Sequence, residues 1–140
     1  MIEEQRPTRE QLVPLLSRAI ELAGAQLAPE TVRSVAEAFQ VLRWDFMDYG
    51  LEAYLVIGDA GDLSFVTQAP READGTIKMD AGMLHDLALG KVSLPLAFLG
   101  GKLRLQGLPA LKLRRFIPLF NPFLEGYRQA WQEITEGEKW

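Results

Sequence analysis

The sequence contains no cysteine and only one histidine among its 140 residues. Without cysteine there is no disulfide framework, no thiolate metal site and no cysteine nucleophile. The single histidine, His85, excludes a histidine-rich metal site, and no nucleophile motif accompanies it as a catalytic triad would require. We expect His85 to lie exposed on a helix. The sequence therefore predicts a protein that is not an enzyme and that needs neither a metal nor another cofactor.

Long apolar runs are also missing. The first residues, Met1 to Arg6, are polar and acidic, unlike the basic start and apolar run of a signal peptide. No stretch reaches the roughly 18–20 apolar residues of a membrane span. The composition, 48% hydrophobic and 24% charged, is typical of a globular chain. We therefore expect a cytoplasmic protein with a single domain over residues 1–140.

Acidic residues are absent from one long segment of a chain whose net charge is −4. Between Leu87 and Leu124 the only charged side chains are the basic residues Lys91, Lys102, Arg104, Lys112, Arg114 and Arg115. Such a segment is typical either of contact with phosphates or anionic lipid heads, or of a solvated face whose acids lie elsewhere. No paired base-stacking aromatic motif accompanies it, which disfavours a nucleic-acid partner.

Hydrophobic periodicity predicts the secondary structure. Period-two alternation indicates five strands, at residues 40–46, 51–57, 63–67, 76–79 and 101–106. Spacings of three and four indicate helices at residues 8–27, 29–36, 80–90, 93–100 and 108–117. Pro118 is expected to end or kink the last of these near Ile117, and Asn121 to begin a separate final helix. This order predicts an α+β domain: a five-stranded sheet with helices packed on one face, and extra N- and C-terminal helices.

The second half of the chain is rich in apolar residues, and its short helices are interrupted by proline. Such a cluster can enclose an apolar cavity that accepts an apolar ligand, or it can form an ordinary filled core. Both interpretations remain open from the composition alone.

A family resemblance is carried by residues 79–119, which read MDAGMLHDLALGKVSLPLAFLGGKLRLQGLPALKLRRFIPL. The pieces are a helix with paired leucines after Asp80, then Gly90-Lys91, Ala97-Phe98, Gly101-Lys102-Leu103 and Gly107. Their order and spacing resemble the sterol carrier protein 2 (SCP-2) sterol-binding domain family. With the strands upstream, the resemblance covers a core of about residues 37–120.

The resemblance implies a hydrophobic tunnel between sheet and helices that binds a fatty acyl, isoprenoid or sterol-like lipid, and can transfer it, without chemistry. The side chains expected to line it are Ile57, Leu84, Leu87, Phe98, Leu103, Leu105, Phe116 and Phe120. Contact with a lipid head group or an anionic membrane surface is expected from Lys112, Arg114 and Arg115.

An alternative interpretation is an accessory or scaffold protein of a lipid or quinone biosynthesis complex, acting through protein partners. It depends on an apolar stripe near the C-terminal end of the chain. This stripe consists of Phe120, Leu124, Tyr127, Trp131 and Ile134. It could dock a helix, including that of a second copy in a homodimer, or pack onto its own sheet.

Overall fold

The computed structural model describes residues 6–107 and 110–137, without the side chains of Leu94, Phe98, 110–113 and 136–137. The strands are β1 (Val41–Phe46), β2 (Leu51–Ile57), β3 (Leu63–Val66), β4 (Gly75–Met79) and β5 (Leu103–Gln106). The helices are α1 (Arg9–Gln26), α2 (Pro29–Ala38), α3 (Ala81–Ala88), α4 (Leu94–Leu99) and α5 (Ala110–Gly137). The five predicted strands and the α+β class are confirmed.

The strands form one mixed sheet in the order β3-β2-β1-β4-β5. Neighbouring strands are antiparallel except β1 and β4, which run parallel, with Trp44 opposite Ile77. Alternation places one apolar set on the covered face. Its buried members are Leu42, Trp44, Phe46, Ala53, Leu55, Ile57, Phe65, Ile77, Met79 and Leu103. Helices cover this face, and the charged members of the strands lie on the other.

Helix α1 begins where its sequence predicts. The Thr8 hydroxyl accepts from the Gln11 backbone N–H, and the Gln11 side chain accepts from the Thr8 N–H. This reciprocal pair satisfies two backbone donors that a helix start leaves open. The buried face of α1 then packs against α5 and β3.

One helix replaces the two that were expected at the C-terminal end. Helix α5 continues through Pro118 and Pro122, so it does not end near Ile117, and the predicted start of a separate helix at Asn121 is wrong. Pro118 is exposed and Pro122 only partly covered, so water can reach backbone carbonyls that lose a helical N–H partner. The opposite face is buried against the core, and its packing outweighs the loss of two hydrogen bonds.

Asp74 fixes the segment that leads into β4. Its Oδ2 accepts from the backbone N–H of Gln40 at 2.8 Å and of Val41 at 3.1 Å. Arg71 donates to both carboxylate oxygens, at 3.0 and 2.8 Å. The Arg71 hydrogen bond lowers the pKa of the Asp74 carboxyl to about 2, against the opposing effect of partial burial, and the two backbone donors lower it further.

We therefore expect Asp74 to make stability depend on acid pH. Its pKa is lower folded than unfolded, so its contribution is complete above about pH 5 and is lost as the pH falls toward 2. Because the carboxyl is only partly buried, Asp74→Asn is expected to cost about 1–2 kcal/mol at neutral pH and almost nothing near pH 2. Urea unfolding across this pH range measures it.

Asp59→Asn is the matched control, because it alters an exposed carboxylate in the β2–β3 turn. It should retain the wild-type pH profile. An equal loss of stability at neutral and acid pH in Asp74→Asn would contradict the role given to the charge.

Candidate functional site

A cluster of aromatic rings occupies the interior between the sheet and α5. Trp44 of β1 lies at its centre, with ring centroids 5.6 Å from Phe65 of β3 and 5.5 Å from Phe123 of α5. Phe116 and Phe120 of α5 lie 6.1 and 6.3 Å from Trp44. All five side chains are buried. The helix positions 116, 120 and 123 recur at spacings of four and three, so one face of α5 delivers three rings to the sheet.

The predicted lining residues come from the sheet and from the helices α3, α4 and α5. Ile57, Leu84, Leu87, Leu103, Phe116 and Phe120 are buried in the hydrophobic core, and Leu105 is partly buried against it. The Phe116 and Phe120 rings lie 5.3 Å apart. The side chain of Phe98 lies outside the described part of the structure. These residues share one apolar interior, and their role as a ligand lining stays a prediction.

Trp44 was not among the predicted site residues. Its Nε1–H is buried and has no hydrogen-bond partner among the described residues. A buried indole N–H ordinarily finds an acceptor. The sequence does contain a signal for this position. Trp44 lies between Leu42 and Phe46 on the inward side of a strand, and its large ring carries one polar group. The N–H is a polar group inside an otherwise apolar interior.

The expectation of an exposed His85 is wrong. Its side chain is 0% exposed, its Nδ1 lies 3.0 Å from the Tyr127 hydroxyl, and its ring meets Trp131 edge-on at 5.2 Å. Periodicity predicted one buried stripe on α3, but α5 covers a second side of this short helix. Burial raises the pKa of the Tyr127 hydroxyl above its ordinary value, so the phenol stays protonated and can donate.

The basic residues predicted to contact head groups differ in their surroundings. Arg114 is exposed on α5. Arg115 is also exposed, and its guanidinium lies 2.9 Å from a carboxylate oxygen of Glu37 on α2. The Lys112 side chain lies outside the described part of the structure. Contact of these three residues with a head group or membrane stays a prediction.

A separate open cleft of about 550 Å³ lies between the end of α1, α2 and the β2–β3 turn. Apolar side chains such as Leu27 and Val32 alternate there with polar ones such as Arg33 and Asp59. None of the predicted lining residues borders it. Its size suits a small ligand, but its mixed polarity differs from the apolar interior that the sequence predicted.

The apolar stripe of α5 faces its own chain. Phe120 and Tyr127 are buried, and Leu124, Trp131 and Ile134 pack against the core from its edge. The stripe is therefore largely used in packing within the chain, and a homodimer formed through it remains an expectation. Over the described residues, no helix has the length and apolarity needed to cross a bilayer.

A five-stranded mixed sheet with helices over one face is the architecture of SCP-2-type domains. The chain belongs to the SCP-2 sterol transfer family, whose sequence profile matches residues 18–120. The resemblance seen in residues 79–119 is thereby confirmed, and membership implies lipid binding or transfer. No curated protein matches the chain by sequence.

Solved structures share the fold. A double mutant of the sec-alkyl sulfatase PisA1 is 26% identical with a TM-score of 0.57, over 80% of this chain and 16% of the sulfatase. The chain thus spans about a sixth of the length of that relative. The ubiquinone synthesis protein UbiJ-SCP2 is 17% identical, with a TM-score of 0.57 over 82% of this chain and 93% of that one. Sterol carrier protein 2 from Yarrowia lipolytica is 18% identical, with a TM-score of 0.53 over 89% and 95%.

Proposed function

We propose that this protein binds one apolar ligand, a fatty acyl, isoprenoid or sterol-like lipid, between its sheet and the helices α3 and α5, and releases it unchanged. The proposal is supported mainly by the apolar interior that the predicted lining residues with described side chains share with Trp44. Family membership supports the same class of ligand. The protein acts here by exclusion of water and not by catalysis.

Burial of the ligand would supply the affinity. Transfer of apolar surface out of water is worth about 25 cal/mol per Å², so a long acyl chain gains several kcal/mol after the costs of binding. The rings of Phe116 and Phe120 pack on each other and on Trp44, so entry of a ligand requires them to separate. The buried N–H of Trp44 would then pair with a ligand oxygen. A charged head group would remain near Arg114 at the surface.

Leu105→Trp tests the position of the ligand. Leu105 is on the inward side of the edge strand β5 and is only partly buried, so a larger side chain can project into the proposed binding space at modest cost to the fold. We expect a fluorescent fatty acid to bind the delipidated variant at least about tenfold more weakly than the wild type. Fluorescence titration measures this, with thermal unfolding as the check on folding.

Gln106→Trp is the matched control, since it adds the same ring to the adjacent exposed residue on the opposite side of β5. It should bind the probe as the wild type does. Equal affinity of the wild type and Leu105→Trp would contradict the assigned lining. Failure of the delipidated wild type to bind a fatty-acid, an isoprenoid and a sterol probe would contradict the function itself.

A further inference from the structure

Two leucines of α4 lie open to solvent. Leu96 is 66% exposed and Leu99 is 85% exposed, whereas Ala97 between them is buried. Successive helical residues are turned by about 100°, so burial of Ala97 against the body of the protein directs Leu99 almost directly outward. The backbone N–H of Gly100 bonds to the Leu96 carbonyl at 2.9 Å, which keeps the helical turn closed at this end. The two leucines are thus held in an exposed position by an ordered backbone.

Basic side chains adjoin these leucines. The backbone N–H of Lys102 donates to the Ala97 carbonyl at 3.0 Å, which places Lys102 at the C-terminal end of α4. Arg104 folds back toward the same turn, with its Nε 3.3 Å from the Gly101 carbonyl. Both residues are exposed. Leu96, Leu99, Lys102 and Arg104 together form what is called here the α4 surface.

The acids nearest to this surface are mostly engaged in the fold. A neighbouring pocket of about 340 Å³ is bordered by Lys102, Arg104 and three aspartates. Asp48 accepts from two backbone N–H groups at the start of α3, and Asp86 pairs with Arg6 at 3.5 Å. Asp80 is exposed and makes no side-chain cap bond to α3. The segment from Leu87 to Leu124 contributes no acid at all, so the α4 surface combines apolar and positively charged groups.

We propose that the α4 surface docks the protein on an anionic lipid bilayer. Leu96 and Leu99 insert among the upper parts of the acyl chains, while Lys102 and Arg104 pair with lipid phosphates at the head-group level. Apolar residues flanked by basic ones are the combination that binds interfaces in this way. An apolar groove on a partner protein could also bind the leucines. It would interact favourably with Lys102 and Arg104 only if acidic residues bordered it. The proposal builds on the proposed lipid-binding function, because a carrier must meet the membrane that supplies or receives its ligand.

Vesicle flotation tests the docking. We expect the wild type to bind vesicles of phosphatidylcholine mixed with phosphatidylglycerol and to bind pure phosphatidylcholine weakly. High ionic strength should lower binding to the anionic vesicles toward that weak level. Leu96→Ser with Leu99→Ser should weaken binding at least about tenfold through lost apolar contact. Lys102→Gln with Arg104→Gln should weaken it about tenfold or more through lost charge.

Arg33→Gln is the matched control for charge, because it removes an exposed basic residue on α2 and should leave vesicle binding unchanged. Vesicle binding by both double variants equal to that of the wild type would overturn the proposal, and would leave a protein partner as the occupant of the α4 surface. The fatty-acid titration separates the two proposals. A wild type that binds a soluble lipid probe but not anionic vesicles overturns the docking alone. One that binds vesicles but none of the fatty-acid, isoprenoid and sterol probes overturns the lipid-binding function alone.

Discussion

Gly126→Ala is expected to destabilise the protein by about 3 kcal/mol or more, a large part of the stability of a domain of this size. A Cβ at this position would clash with the carbonyl oxygen of Ala19 and lie 3.2 Å from its carbonyl carbon. Both atoms belong to the backbone of α1, so no side-chain rotation relieves the clash. The two helices would have to move apart where Ala19 meets Gly126. Urea unfolding should show the loss directly, and the melting temperature should fall by about 10 °C.

Gly24→Ala, in helix α1, is expected to have the opposite effect on stability. Its added Cβ would meet only Leu63 Cδ1, at an ordinary contact distance of 3.5 Å. Alanine is favoured over glycine in a helix by about 1 kcal/mol, so this variant should be slightly more stable than the wild type. If both variants changed stability by similar amounts, the close approach of α1 and α5 at Gly126 would not be the cause.

Tyr127→Phe is expected to cost about 1–3 kcal/mol, although it removes a single oxygen atom. The hydroxyl lies 3.0 Å from Nδ1 of His85 in a region closed to water. Removal of the hydroxyl leaves the imidazole nitrogen without this partner. A buried polar group that loses a hydrogen bond destabilises the folded state. Chemical denaturation of the variant measures the effect.

A double-mutant cycle with His85→Leu isolates the interaction between the two side chains. When both polar partners are removed, the combined loss should be smaller than the sum of the single losses. Strict additivity would contradict a direct hydrogen bond between Tyr127 and His85.

Much of the fold could be predicted because its strands have one covered face. Alternation located all five, and the Thr8–Gln11 capping box located the start of α1. The parallel pairing of β1 with β4 could not be found in this way, since a local pattern carries no information about distant partners. Pro118 and Pro122 were misleading for a related reason. Their cost is local, whereas the packing that holds α5 in one piece comes from contacts with elements far away in sequence.

The candidate site could be predicted only in part. Its apolar character follows from composition, and the family resemblance identified the elements that surround it. The central position of Trp44 and the burial of His85 depend on how α5 crosses the sheet and α3, which no short window of sequence encodes. The exposure of Leu96 and Leu99 could not be predicted either, because apolar residues on a short helix are ordinarily expected to face inward.

The pairing of α1 with α5 has a consequence for what counts as the folding unit. The stretch matched by the family profile stops at residue 120 and starts at residue 18, so it omits the first half of one helix and Phe123, Gly126 and Tyr127 of the other. Helices α1 and α5 come from opposite ends of the sequence and pack against each other. Each covers apolar side chains of the other that would otherwise be exposed to water. We infer that the cooperative unit extends beyond the family boundaries at both ends and that neither terminal helix is an accessory to it.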